Sequence, residues 1–134
     1  MTPNPNRLPW TLALLASSCL ATLAQATPDF APFLADWRAA VARGDADAVA
    51  RRLRGPFLWE GRALDAAGFR RHAWPVLFTP ALRRCWARTA PVAEPGQPGE
   101  RALFCGPYGL HFDAQGGPGS QWALREFSAD GEAR

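Results

Sequence analysis

The N-terminal segment constrains this chain more than any other feature. Met1–Asn6 is polar, Arg7 carries a positive charge, and Trp10–Leu23 is apolar or small with no charged residue. Ala24-Gln25-Ala26 then supplies the small-x-small pattern accepted by a signal peptidase. This three-part layout reads as a secretory signal peptide over residues 1–26. The apolar run of about 14 residues falls short of the roughly 20 that a spanning helix requires, so no permanent membrane span is expected. What remains to fold is Thr27–Arg134, a single domain of residues 27–134 with one core and little stability to spare. A competing reading puts a lipid anchor on Cys19, because Ala16-Ser17-Ser18 precede it. Against it, the large aliphatic residue stands one position early, at Leu15, and the stretch after Cys19 is apolar where a lipoprotein tether is polar. The expected location is therefore periplasmic or secreted, after cleavage near Ala26.

Export makes the cysteines informative. Cys85 and Cys105 remain after cleavage, and an even pair in an oxidising compartment reads first as a disulfide. It would close a loop of about 20 residues, worth roughly 3 kcal/mol in the chain-entropy model. The alternatives are free thiols or a metal site built from Cys85, Cys105, His72 and His111. Zinc sites usually contain close ligand pairs such as C-x2-C, and the sequence has none. Neither a metal nor a cofactor is expected. Trp37, Trp59, Trp74, Trp86 and Trp122, together with eight phenylalanines, supply the apolar area that a small core needs. Every basic residue is arginine. Removing Arg7 from the formal charge of +3 leaves about +2, too little to indicate a nucleic-acid partner.

Phe30, Phe33, Leu34, Trp37 and Val41 recur at helical spacing, and Gly44 stops that helix. Asp45 caps a short second helix carrying Val49 and Leu53, with Arg51, Arg52 and Arg54 at its C-terminal end. Gly55-Pro56 breaks the chain, Phe57–Glu60 forms a strand, and Gly61-Arg62 turns it. Asp65 caps a third helix with Phe69, Ala73 and Val76 on one side, which Pro75 kinks or ends. Thr79-Pro80 opens a fourth helix through about Trp86. Ala87–Ala93 is a strand limited to an edge by Pro91, and Glu94–Gly99 is a loop. Arg101–Cys105 and Tyr108–Asp113 are strands around Gly106-Pro107, Gly116–Ser120 is a turn, and Gln121–Phe127 is the last strand. Helices first and an antiparallel sheet second give an α+β class.

This order of elements resembles the NTF2-like (SnoaL-like) superfamily, and small exported bacterial proteins built on that scaffold. The resemblance rests on Trp37–Ala50 with its Gly44-Asp45, on Gly55–Gly61, and on Asp65–Phe78. It implies N-terminal helices packed on an antiparallel sheet curved into a cone. Two departures stand out: Arg54-Gly55-Pro56-Phe57 replaces the acidic segment common before the first strand, and the strands are short.

Enzymes of that superfamily place an Asp or His inside the cone as general base, which requires reach to the substrate proton and a tuned pKa. The residues available here are Glu60, His72, Tyr108, His111 and Glu126. His111 alternates with Tyr108, Leu110 and Phe112, so it faces the other side if those apolar residues face the core. His72 lies between Arg71 and Ala73 at a helix boundary, and Glu60 ends a strand beside a turn. One of Arg125 and Glu126 is a candidate to point inward between Leu124 and Phe127, and an inward arginine must be paired, which would mark an anion pocket. The pocket set is therefore Tyr108, His111 and Arg125. Gly116-Gly117-Pro118-Gly119 does not lead from strand to helix, so it is no phosphate loop. Neither G-x-S-x-G nor C-x-x-C occurs. The favoured expectation is an exported, non-enzymatic interaction or ligand-binding module whose partner is a periplasmic protein, a small apolar ligand or a second copy. The alternative is a small-molecule enzyme or carrier with a cone pocket.

Overall fold

The apolar stripe at the start of the domain becomes helix α1, Phe30–Ala42, which buries Phe30, Leu34, Trp37, Ala40 and Val41. The computed structural model describes residues 27–114 and 121–129. The expected signal segment with Cys19, the expected turn over Gly116–Ser120 and the charged tail lie outside the described residues. Asp45 caps α2, Ala46–Ala50, by accepting the Ala48 N–H at 3.0 Å. The helix then stops, and Leu53, expected on it, opens strand β1, Leu53–Trp59. The Arg52 carbonyl already accepts the Leu124 N–H from the last strand, so sheet pairing takes over where the helix ends.

Gly55-Pro56 does not break the chain as expected; it lies inside β1. Leu53 pairs with Leu124 and Leu58 with Glu126, so β1 carries extra residues between the two paired positions. A bulge suits this dipeptide, since Gly55 has φ +67° and Pro56 has no N–H to donate. Strand β2, Arg62–Leu64, returns antiparallel through Glu60-Gly61, one residue earlier than the expected turn. Both turn residues have positive φ, as a two-residue hairpin loop of this hand requires.

The third helical stretch is irregular. The Asp65 carboxylate caps α3, Ala66–Gly68, by accepting the Gly68 N–H at 2.7 Å. A π-turn over Phe69–Ala73 follows, then α4, Trp74–Leu77. In the π-turn the Trp74 N–H reaches back five residues to the Phe69 carbonyl. Pro75 explains the widening: it cannot donate to the Arg71 carbonyl, and its ring would clash with it in a regular helix. The inserted residue shifts the buried face by one position. Phe69 and Ala73 are buried as expected, but Val76 is 48% exposed and Leu77 is fully buried in its place.

Helix α5, Pro80–Trp86, starts at the Thr79 cap, whose hydroxyl accepts the Leu82 N–H at 3.3 Å. Strand β3 is only Val92–Glu94, at the sheet edge. Strand β4, Gln97–Cys105, pairs with it through a tight Pro95-Gly96 turn, so most of the expected Glu94–Gly99 loop is hairpin. Strands β5, Tyr108–Ala114, and β6, Trp122–Ala129, complete the sheet.

The sheet order is β2-β1-β6-β5-β4-β3. The expectation of a wholly antiparallel sheet is corrected at one pairing, because β1 and β6 run parallel. Parallel neighbours need a long crossover, and the helices together with the β3-β4-β5 meander supply it. The fold is thus α+β, with helices packed on one face of a six-stranded mixed sheet. On that face Trp37 meets Phe112 edge-on at 5.2 Å, Phe30 meets Trp122 at 4.7 Å, and Phe57 meets Phe69 at 5.1 Å. Trp86 is fully buried and donates its indole N–H to the Leu77 carbonyl at 2.8 Å. Cys85 and Cys105 are joined by a disulfide, with Sγ atoms 2.12 Å and Cα atoms 6.0 Å apart, which fastens α5 to β4.

Candidate functional site

Strand register sorts the polar residues. Leu58, Glu126, His111, Ala102 and Val92 pair in turn and form one row across five strands. Ser128, Gly109 and Phe104 form the next row. Both rows lie on the face away from the helices, where Leu58, Val92 and Phe104 are exposed. The β5–β6 register slips between His111 and Phe112, and Arg125 is the extra residue. Such a bulge re-aims side chains. Arg125 binds the Asp113 carboxylate at 3.1 Å, and no charged residue among the described ones is buried.

His111 and Arg125 line one small depression of about 220 Å³, with Glu94, Glu100, Asp113 and Glu126 as its carboxylates. Tyr108 is not part of it; its ring packs against Phe127 at 5.4 Å on the helix side. The structure therefore brings together two of the three residues expected to share a pocket. His111 Nε2 lies 2.7 Å from Ser128 Oγ, and the Phe104 ring meets the imidazole edge-on at 6.0 Å. Gly109 lies beneath them. A Cβ there would come within 2.6 Å of Ser128 Oγ and 2.9 Å of the Phe104 ring, so the cluster needs a residue without a side chain. A hydroxyl–imidazole contact is also the first element of an activated nucleophile, but this one lies on an open sheet face. Glu60 is exposed at its turn, and His72 is half-buried on the π-turn.

A larger feature comes from residues that sequence reasoning did not single out as a site. A groove of about 580 Å³ runs between the start of α1, the α2–β1 junction and the start of β6. Its basic wall is Arg51, Arg52 and Arg54, which the sequence presented only as favourable charge after a helix. Its acidic wall is Asp29 and Asp36 of α1, and Phe33, Leu53 and Trp122 contribute apolar surface. Arg52 donates to the Ala48 carbonyl at 2.7 Å. Arg54 donates to the Gln121 carbonyl and lies 3.9 Å from Asp113. The Trp122 indole N–H donates to the Pro28 carbonyl at 2.7 Å, tying the entry of α1 to β6. The Arg101 guanidinium lies over the same indole, 5.3 Å from the ring centre.

Two ionisable groups depart from their ordinary range. Burial lowers the Arg38 pKa; its guanidinium donates to the Trp86 and Thr89 carbonyls. The Asp45 carboxyl is held below the usual carboxylate range, first by the Ala48 N–H and then by Arg43 and Arg51. Among the described residues, no group of three or more His, Cys, Asp or Glu is placed to hold a metal ion, and no helix is long and apolar enough to cross a membrane. No family model matches the chain, and no curated protein or solved structure is significantly similar to it.

Proposed function

We propose that this protein is an exported, non-enzymatic binding module that meets its partner at its surface. The observation carrying this reading is the division of the domain into a ring-filled interior and charged open depressions. Trp37, Trp86, Phe112, Leu103 and Leu110 occupy the space between helices and sheet. A general base in a cone would have to stand where these side chains pack. Eleven charged side chains line the rim groove and the outer depression instead, and no described charged residue is buried. The Cys85–Cys105 disulfide supports work in an oxidising compartment. The order of elements, two helices, a short hairpin, further helices and then a strand meander, supports the NTF2-like resemblance at the level of architecture.

The test is native mass spectrometry of the protein purified gently from the periplasm, together with single alanine substitutions of Glu60, His72, His111 and Glu126. A retained polypeptide, a second copy or a small molecule is expected, and each substitution should leave its retention intact. A bare monomer, or loss of cellular function on replacing one of those four groups alone, would overturn the reading.

A further inference from the structure

We infer that the groove between α1 and the α2–β1 junction binds a short free peptide, with its carboxylate on the arginine wall and its amine on the aspartate wall. The inference rests on the binding-module reading and names what the module takes up. The groove's volume of about 580 Å³ lies within the range of ligand clefts.

Charge decides the ligand class. Guanidinium groups match carboxylates in shape as well as sign. Arg52 is held by the Ala48 carbonyl, and Arg54 by the Gln121 carbonyl and the Asp113 carboxylate, which orients both. Arg51 is exposed and makes no ion pair among the described residues. Opposite them, Asp29 and Asp36 are exposed, and Asp29 does not cap the helix it precedes. A polyanion would meet the two aspartates, and a polycation would meet the three arginines. A molecule carrying one charge of each sign satisfies both walls, because juxtaposed like charges penalise the other classes. Phe33 and Leu53 are half-buried and offer apolar contact for a side chain between the two ends.

The groove is also preformed. The bond from Trp122 to Pro28 fixes α1 against β6, and the bond from Arg54 to Gln121 fixes β1 against β6. A ligand therefore does not bear the cost of bringing the walls together.

The experiment is calorimetric titration of the mature, disulfide-bonded protein with the tripeptide glycyl-leucyl-phenylalanine, with its C-terminal amide and with its N-acetyl derivative. The free tripeptide should bind with Kd of about 1 mM or tighter, and each blocked form about tenfold more weakly. Arg51→Ala should reproduce the loss caused by the amide and Asp36→Asn the loss caused by acetylation. Pairing each substitution with its blocked peptide should add no further loss, as a double-mutant cycle requires. Equal affinity for free and blocked forms, or a loss produced instead by Glu126→Gln in the outer depression, would overturn the assignment. If no peptide binds while native mass spectrometry retains a partner through both substitutions, the groove assignment falls and the binding-module reading stands. If neither peptide nor partner binds, both fall.

Discussion

Helix α1 and the α3–π-turn–α4 stretch pack on the same sheet face, yet only the first keeps one period. In α1 the buried residues Phe30, Leu34, Trp37 and Val41 fall where a 3.6-residue repeat puts them. In the second stretch Phe69 and Ala73 obey the same repeat, and then the face slips so that Leu77 rather than Val76 turns inward. The cause is one residue of different backbone chemistry, Pro75, accommodated by a π-turn immediately before it. Hydrophobic periodicity thus holds only while the hydrogen-bond ladder stays uniform. A proline shows that the pattern must change, but not whether the helix ends, bends or widens.

The sharpest way to stress the regular region is Trp37→Ala. Trp37 is fully buried and contacts both Phe78 and Phe112. Its truncation should cost about 3–5 kcal/mol, a large part of the stability of a domain this size. Urea unfolding monitored by far-UV circular dichroism would show it, and a loss under about 1 kcal/mol would mean that α1 is not the seat of the core.

The slipped face is tested by comparing neighbours. Leu77→Ala should cost about 2–5 kcal/mol, whereas Val76→Ala should change stability by no more than about 0.5 kcal/mol. The reverse ranking would restore the uninterrupted repeat that the sequence implies and remove the π-turn.

The two regions also differ in how they are fastened. Apolar packing and a few hydrogen bonds hold α1, while α5, directly after the irregular stretch, is bound covalently to β4. Replacing Cys85 and Cys105 together with serine should lower stability by about 3 kcal/mol. Hydrogen exchange should rise first in α5 and β4, with α1 the last to lose protection. Uniform loss across all three would mean that the staple acts only through the unfolded chain.

What was legible in the sequence follows the same division. Features set by neighbours along the chain could be read: the α1 stripe, the Thr79-Pro80 start of α5, the cap at Asp45, the cysteine pair, and His111 facing away from the core. Features set by distant partners could not. The parallel pairing of β1 with β6 joins residues far apart in sequence, and it draws Leu53 out of a helix and carries a strand through Gly55-Pro56. The slip at Arg125 is a property of two strands together. The groove collects residues from positions 28–36, 51–54 and 121–123, so no single window of sequence contains it. Its one local trace was the run Arg51-Arg52-Leu53-Arg54, which also satisfies a plain helix-terminus reading.

The smallest expected effect lies at Asp45, where α1 hands over to α2. Its carboxylate accepts the Ala48 N–H and lies 3.7 Å from the Arg43 guanidinium. Both favour the charged form, the hydrogen bond more than the ion pair, and together they outweigh the opposing effect of burial. A carboxyl group whose pKa is lower in the folded than in the unfolded state stabilises the fold above its unfolded value of about 3.9, and that contribution disappears as the pH falls through the folded value. Unfolding midpoints of the native protein and of Asp45→Asn, followed from about pH 6 to pH 2, should therefore converge toward the acid end, because asparagine keeps an acceptor for the Ala48 N–H but has no charge to lose. Parallel curves would show that the charge on Asp45 contributes nothing and that its oxygen acts only as a neutral cap. The junction would then be set by hydrogen bonding alone, as at Thr79, where an uncharged hydroxyl starts α5.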